Sequence, residues 1–490
     1  MEVSSWVDEE FNNIHFQDVR LDKRLKICVS QFSRVGESTP DSCKDTAALK
    51  ATYRFASNPK VDMDKILEEH NRASIDRCGQ QRLVYLVQDT TEVDLTKPKK
   101  QVEGAGPLGT DRRKGFFYHP LYALSGEGVA LGSVDQLVWT RDPASLQIPA
   151  KEKKKLRQQA AFEEKESCRW LEMLQMSDQI ARTLPQTMFV HLADSEADIA
   201  ELFCEAADFA DNHHLIIRGC HSRSIVAATD CATSQELDAT TVEQALQQAQ
   251  PRLTRTVSIG GRDAPQTPDD KKRSRKQARE PRQAVLTLRA ITVTVVGPRR
   301  PGGGNLPDAT INVVEAIEEN PPQGDVAVHW ILYTTLPVAS DDEIESVVNG
   351  YRMRWPVETY FKTLKSGMKI EDLKYELLDR YLVAFSMLAV VGWRIEYLKS
   401  AARATPNAPC SNYYTIEQWM AIVAFVTRQP PNPTNPPTMK EFVTLIAQLG
   451  GYINKRSQGP PGSKTLWRGM RQFETIVEAF KIFAPMTCGV

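Results

Sequence analysis

No two cysteines in this chain are spaced C-x-x-C. The nine cysteines are scattered, which excludes a zinc-ribbon framework and argues for reduced thiols in the cytosol over a disulfide scaffold. Long apolar runs are also missing. The longest, Tyr381 to Trp393, is too short to span a bilayer and reads as a core helix, so no membrane partner is expected. The opening residues, MEVSSWVDEEF, have neither a basic nor an apolar stretch, so no secretory signal is expected and a cytoplasmic location is. Charge of one sign is not in excess. The net charge is −1 over 490 residues, and the overall balance is silent about nucleic acid. What the chain does have is clustered cations, and enough length for about two to four domains with proper cores.

The most informative stretch is YRMRWPVETYFKTLK, Tyr351 to Lys365. Its polar residues are spaced Y-x2-R-x3-E-x6-K. In an unbroken helix, offsets of three, four and seven share one face, so Arg354, Glu358 and Lys365 would point the same way, with Lys362 beside them. A carboxylate among cations suits a site where Glu358 holds a metal ion and the bases hold phosphates. It also suits a solvated helix with ion pairs, and the stretch alone does not decide. Pro356 fits a first helical turn, which places the helix start near Trp355.

Partners for Glu358 exist elsewhere. The apolar run Leu83 to Val87 ends in Gln88, Asp89, Thr90, Thr91, and the run Met188 to Ala193 ends in Asp194. Open α/β sheets present ligand-binding groups at strand ends in this way. Asp89 could equally cap a turn. The tract DSEAD offers Glu196 and Asp198 as rivals to Asp194; Asp194 is preferred because it directly follows the strand. Phe116 to Leu124, Val129 to Trp139 and His213 to Arg218 complete five strands, with helical spacing between Lys151 and Leu184. The fold class expected is α/β: an RNase H-like catalytic core, a mixed five-stranded sheet with helices. Two of its strands end in Asp. Residues 222–337, rich in Thr, Pro, Gly and Arg, interrupt it as an inserted β domain whose clearest strand is Leu286 to Val296.

With these residues the chain resembles the insertion-sequence-four family of bacterial cut-and-paste DDE transposases. The likeness runs from RFASNPKV near residue 54 through VQDTTEVD, KGFFYHP, KESCRWL and LADSEADI to LGGYINKR near residue 450. It implies that Asp89, Asp194 and Glu358 are the catalytic, metal-binding triad. Tyr351, Arg354 and Lys365 would contact phosphates, with Lys362 and Trp355 as further contacts and Trp330 at a distorted DNA end. For Trp330 a core role is an even alternative. The implied cofactor is Mg2+, two ions per site, with Mn2+ able to substitute. The implied partners are transposon-end DNA with inverted repeats, target DNA, and a second copy of the chain in a synaptic homodimer. The implied location is the bacterial cytoplasm, on the nucleoid when DNA is bound. Cutting, hairpin formation and resolution, and strand transfer would all be phosphoryl transfers at one site.

The domains expected are residues 1–70, a helical DNA-end-binding domain using Arg20 and Arg24; 71–221, the first part of the core; 222–337, the β insertion; 338–400, the second part with the Glu358 helix; and 401–490, a helical dimerisation domain. Helical N- and C-terminal domains thus flank the core. The run Lys271 to Arg282 has seven basic residues in twelve and is either a solvated loop or an added phosphate contact. Ile476, Val477, Phe480 and Phe483 form an apolar stripe, either core or a dimer contact. A catalytically silent, transposase-derived repressor or inhibitor is the alternative function. A glycosidase would also use paired carboxylates, but needs no metal and leaves the basic clusters idle.

Overall fold

The computed structural model describes residues 5–34, 39–43, 45–97, 102–109, 112–261, 280–300, 304–455 and 459–487. In chain order the helices are α1 (Ser5–Glu10), α2 (Val19–Arg34), α3 (Thr39–Ser42), α4 (Thr46–Ala56), α5 (Met63–Cys78), α6 (Ala150–Gln159), α7 (Cys168–Thr183), α8 (Ala200–Glu205), α9 (Val242–Gln248), α10 (Asp341–Arg352), α11 (Trp355–Lys362), α12 (Leu378–Ala404), α13 (Ile416–Thr427), α14 (Met439–Leu449) and α15 (Ser463–Thr487). The strands are β1 (Leu83–Gln88), β2 (Thr91–Asp94), β3 (Gly106–Pro107), β4 (Lys114–Ser125), β5 (Ala130–Trp139), β6 (Met188–Ala193), β7 (His213–Arg218), β8 (Ile225–Asp230), β9 (Leu253–Ile259), β10 (Arg282–Val295), β11 (Ala309–Ile317) and β12 (His329–Thr334). The protein is mixed α/β. It divides into two compact units: residues 1–154 with 355–490, and residues 155–354.

The first unit is built on β4. One edge of β4 takes β5; the other takes β1 and then β2, all antiparallel. The β1 ladder ends at Gln88 opposite Leu121, and the β2 ladder resumes at Thr91 opposite Tyr118. Asp89 and Thr90 fall in the gap, opposite His119 and Pro120. Pro120 has no N–H to give either ladder, so a break here costs the strand little. β2 was not foreseen, because the polar tract after Val87 reads as a turn. Helices α5 and α12 pack against β5. The middle of α12, Val383 to Trp393, is buried on all sides; Phe385 meets Phe116 and Tyr118 edge-on at 5.2 and 5.0 Å, and the Trp393 indole donates to the Ala130 carbonyl at 2.9 Å. α12 is the one described helix long and apolar enough to cross a membrane, yet 83% of its apolar window is buried in the protein, which makes it the core helix expected.

α1 is tied to this core by a buried charge network. The Arg77 guanidinium lies 2.8 Å from the Glu10 carboxylate, and the His70 Nδ1–H donates to Glu10 at 2.6 Å. His70 Nε2 accepts the Ser133 N–H at 3.2 Å, which fixes a neutral imidazole; burial also holds the ring below its ordinary pKa. Gly132, at φ +128°, lets β5 approach, since a Cβ there would lie 2.0 Å from the Ser74 hydroxyl. Burial raises the Glu10 carboxyl, but Arg77 and then His70 outweigh it and bring the pKa down to about 2.

The second unit has one sheet, ordered β6-β7-β12-β11-β10-β8, with β9 also on β10. Among the described strands of this unit only β6 and β7 pair in parallel; β12 pairs antiparallel with β7 from Leu332–Arg218 to Thr334–Ile216. The strands of residues 222–337 therefore extend the sheet begun by β6 and β7 and do not form a sheet of their own. Trp170, Leu174, Phe203, Leu246, Val313 and Tyr333 fill its core. Ser340 caps α10 with a reciprocal Glu343 bond, as its position before DDE suggests.

Glu10→Gln removes the charge that Arg77 faces in a buried site. It should cost about 3 kcal/mol in urea unfolding at neutral pH. Because the folded-state pKa lies below the unfolded one, the wild-type advantage is complete above pH ~4.5 and should shrink as pH falls towards 2.

Candidate functional site

Asp89 is half-buried and held by its neighbours in the β-ladder gap. The Thr90 N–H donates to its carboxylate at 2.7 Å. Behind it His119, fully buried, bonds Gln88 Oε1 through Nε2 at 3.0 Å and the Thr90 hydroxyl through Nδ1 at 2.8 Å. Gln88 Oε1 can only accept, so Nε2 carries the proton and Nδ1 takes the Thr90 hydroxyl. One imidazole thus joins the residues on either side of Asp89. His119 was passed over in the sequence, although a His-Pro pair inside a long apolar strand is unusual enough to mark it.

The Tyr351–Lys365 stretch is not the continuous helix from which a shared face was expected. α10 ends at Arg352, Met353 and Arg354 form a turn, and α11 starts at Trp355, where Pro356 placed it. Pro356 cannot donate back to Arg352, so the helix must restart there. α11 then widens into a π turn, Thr363–Gly367, closed by the Met368 N–H to the Thr363 carbonyl at 2.8 Å. The added residue per turn moves Lys365 off the face computed for an ideal helix.

Glu358 lies in the first turn of α11, half-buried. Aromatic packing holds α11 on β4: Tyr360 stacks on Tyr122 at 4.8 Å and 15°, its hydroxyl donates to the Ala389 carbonyl at 3.0 Å, and Phe361 meets Tyr118 at 6.3 Å. Trp355 is 62% exposed and Lys362 is exposed. Lys365 is half-buried, which lowers its pKa; Glu371 and Glu92 oppose that shift. Arg113 bridges Glu92 at 2.7 Å and Asp94 at 2.9 Å, and the Asp94 N–H donates to Glu371 at 3.0 Å. Lys365 thus sits beside β2, the strand that follows Asp89.

The second unit gathers Asp194, Tyr351, Arg354 and Trp330. Asp194 follows β6 and accepts the Glu196 N–H at 2.8 Å. Tyr351 is buried, which raises its phenol pKa; Arg354 and Arg218 pull it down and Asp194 pushes it up, so all three charges lie near it. Trp330 is half-buried and meets the Tyr351 ring edge-on at 5.2 Å. Arg218 was missed. It ends β7 one position past the Ala193–Ile217 pair, so it flanks Asp194 by strand register. The signal was present, since HHLIIR closes an apolar strand with a cation.

Asp198 has a different use. It is 3% exposed, accepts the Cys220 and His221 N–H groups at 2.7 and 2.8 Å, and is ion-paired with Arg223. Arg223 lies over the Phe203 ring at 4.8 Å. This clamp fastens the loop after β6 to the loop after β7. Glu196 is exposed, and its carboxyl is raised by loss of hydration and by the Asp194 charge.

In the N-terminal helices, Arg20 is exposed and held by Asp18 through two contacts of 3.0 and 2.9 Å, while Arg24 is half-buried. Lys44, residues 98–101 and the basic run as far as residue 279 lie outside the described residues. Of the apolar stripe on α15, Val477 is buried, Ile476 and Phe480 are half-buried, and Phe483 is 62% exposed beside Ile482 at 63%.

Residues 3–61 match the family model described as Transposase DNA-binding, and residues 390–485 match Transposase Tn5 dimerisation domain. The two matches support a DNA transposase. A solved structure titled "Cryo-EM structure of piggyBac transposase synaptic complex with hairpin DNA (SNHP)" aligns over 97% of this chain and 74% of that chain, at 9% identity and a TM-score of 0.31. A likeness at that level carries no argument about this chain's fold or function.

Two substitutions separate structural from candidate catalytic acids. Arg223→Leu leaves Asp198 buried without its cation and should cost about 3–5 kcal/mol in urea unfolding. Asp194→Asn keeps a side-chain acceptor for the Glu196 N–H and should change stability by less than about 0.5 kcal/mol.

Proposed function

We propose that this chain is a cut-and-paste DNA transposase of the insertion-sequence-four type, with an RNase H-like core whose acids Asp89, Asp194 and Glu358 act together. The observation that carries the reading is the order of the chain. A transposase DNA-binding match and a Tn5 dimerisation match flank a segment in which two acids directly follow strands and a third opens a helix. Asp198 is engaged with Arg223, which favours Asp194 as the member from the DSEAD tract.

Half-buried carboxylates are the oxygen donors that hard divalent cations take, so the three acids fit Mg2+ or Mn2+. Bound divalent ions would supply charge neutralisation at the attacking and leaving oxygens of the phosphodiester. The chain's own groups would do the rest. Arg354, Lys365 and Tyr351 would hold phosphates near the cut, Trp330 would support a displaced base, and Lys362 and Trp355 are placed for outer contacts. His119 ties together the Gln88 and Thr90 side chains on either side of Asp89. Arg20 and Arg24 would meet end-DNA phosphates, with Arg20 exchanging Asp18 for a phosphate oxygen. Two copies would pair two ends through residues 390–485, on the nucleoid of a bacterial cell. Nicking, hairpin formation and opening, and joining to target DNA are then successive phosphoryl transfers at one site.

The test uses linear duplexes ending in the inverted repeats that flank the gene, with Mg2+ or Mn2+. Wild type should nick them. Asp89→Asn, Asp194→Asn and Glu358→Gln should each lower nicking by about a thousandfold or more while end binding persists, since each tenfold is about 1.4 kcal/mol and a metal ion contributes several. Tight end binding by a wild type that never nicks would instead identify a silent, repressor-like descendant.

A further inference from the structure

The π turn that carries Lys365 begins in a buried polar network that the reading above does not use. Thr363, the first residue of the turn, is 1% exposed, and its hydroxyl donates to Glu396 Oε1 at 2.5 Å. The same oxygen accepts the hydroxyl of Ser463, the first residue of α15, at 2.8 Å. Lys399, 6% exposed, closes the network: its ammonium lies 2.6 Å from Glu396 Oε2 and donates to the Ser463 hydroxyl at 2.6 Å.

A buried carboxylate is costly unless its oxygens are satisfied, so these four groups hold one another in place. The Glu396 charge also faces the start of a 25-residue helix, where the N-terminal dipole favours an anion. Packing on the same turn leaves no slack. A Cβ on Gly392 of α12 would lie 2.5 Å from the Leu364 side chain and 3.3 Å from the Met368 sulfur, and α15 itself touches the turn. π turns strain the hydrogen-bond ladder and persist only where surrounding contacts select them.

We propose that Glu396 is a positioning residue through which the start of α15 holds the wide turn, and so sets where Lys365 and the adjoining Glu358 helix point. The inference rests on the transposase reading for its functional meaning. It makes the C-terminal region, which matches the dimerisation model, a mechanical support of the site as well as a pairing surface. Glu396 touches no substrate in this scheme; it acts through Thr363.

Hydrogen–deuterium exchange on the full-length protein tests the coupling without DNA or metal, so it is decided separately from whether the chain cuts DNA. Ser463→Ala should speed exchange about tenfold or more at residues 363–368, roughly a hundred positions away in the chain. Thr363→Val, of nearly the same shape, should do the same, and Thr363→Ser, which keeps the hydroxyl, should restore wild-type protection. On end DNA, Ser463→Ala and Thr363→Val should lower the single-turnover nicking rate about tenfold with end affinity unchanged. Faster exchange confined to residues 459–470, or a Thr363→Ser variant as labile as Thr363→Val, would overturn the proposal.

Discussion

A strand with proline at its centre cannot be hydrogen-bonded along its whole length, and in this protein that constraint sits next to the first candidate acid. Pro120 interrupts the edge of β4 that β1 and β2 share. His119 then spans the gap with one bond to each side. The result is a rigid loop two residues long, with Asp89 at its tip and strand on either side. A carboxylate mounted this way loses little further entropy on taking a ligand, which is what a preformed oxygen donor requires.

Much of this was legible in the sequence, and the failures have physical causes. Short apolar runs marked β1, β6 and β7, and Pro356 marked the start of α11 within a residue. β2 was invisible because Thr-Glu-Val-Asp has no apolar run; its pairing comes from β4. The unbroken helix expected from Tyr351 to Lys365 failed because local periodicity assumes an unbroken ladder. The break at Met353–Arg354 follows from Pro356 and was within reach. The π turn was not, because it is selected by Glu396 and Gly392, contacts made by residues about 30 positions further on.

The DSEAD tract shows the same limit for chemistry. Spacing alone does not rank three acids four positions apart. What separates them is Arg223, whose guanidinium takes Asp198 into the core and leaves Asp194 at the strand end. A pairing between positions 198 and 223 has no local signature, since it depends on β6 and β7 lying side by side. Arg218, by contrast, could have been named from strand parity once that pairing was assumed.

The first compact unit draws on both ends of the chain, with residues 155–354 between them. Its core helix, α12, therefore leaves the ribosome only after β4 and β5 have waited through some 240 intervening residues. Until then the aromatic faces of β4 stand without their cover, while the continuous second unit has everything it needs to close. Synthesis thus imposes an order of assembly, and a chain cut short before residue 378 would keep a greasy, unmatched sheet. Such a product invites aggregation and proteolysis, so incomplete copies would be cleared by their own chemistry.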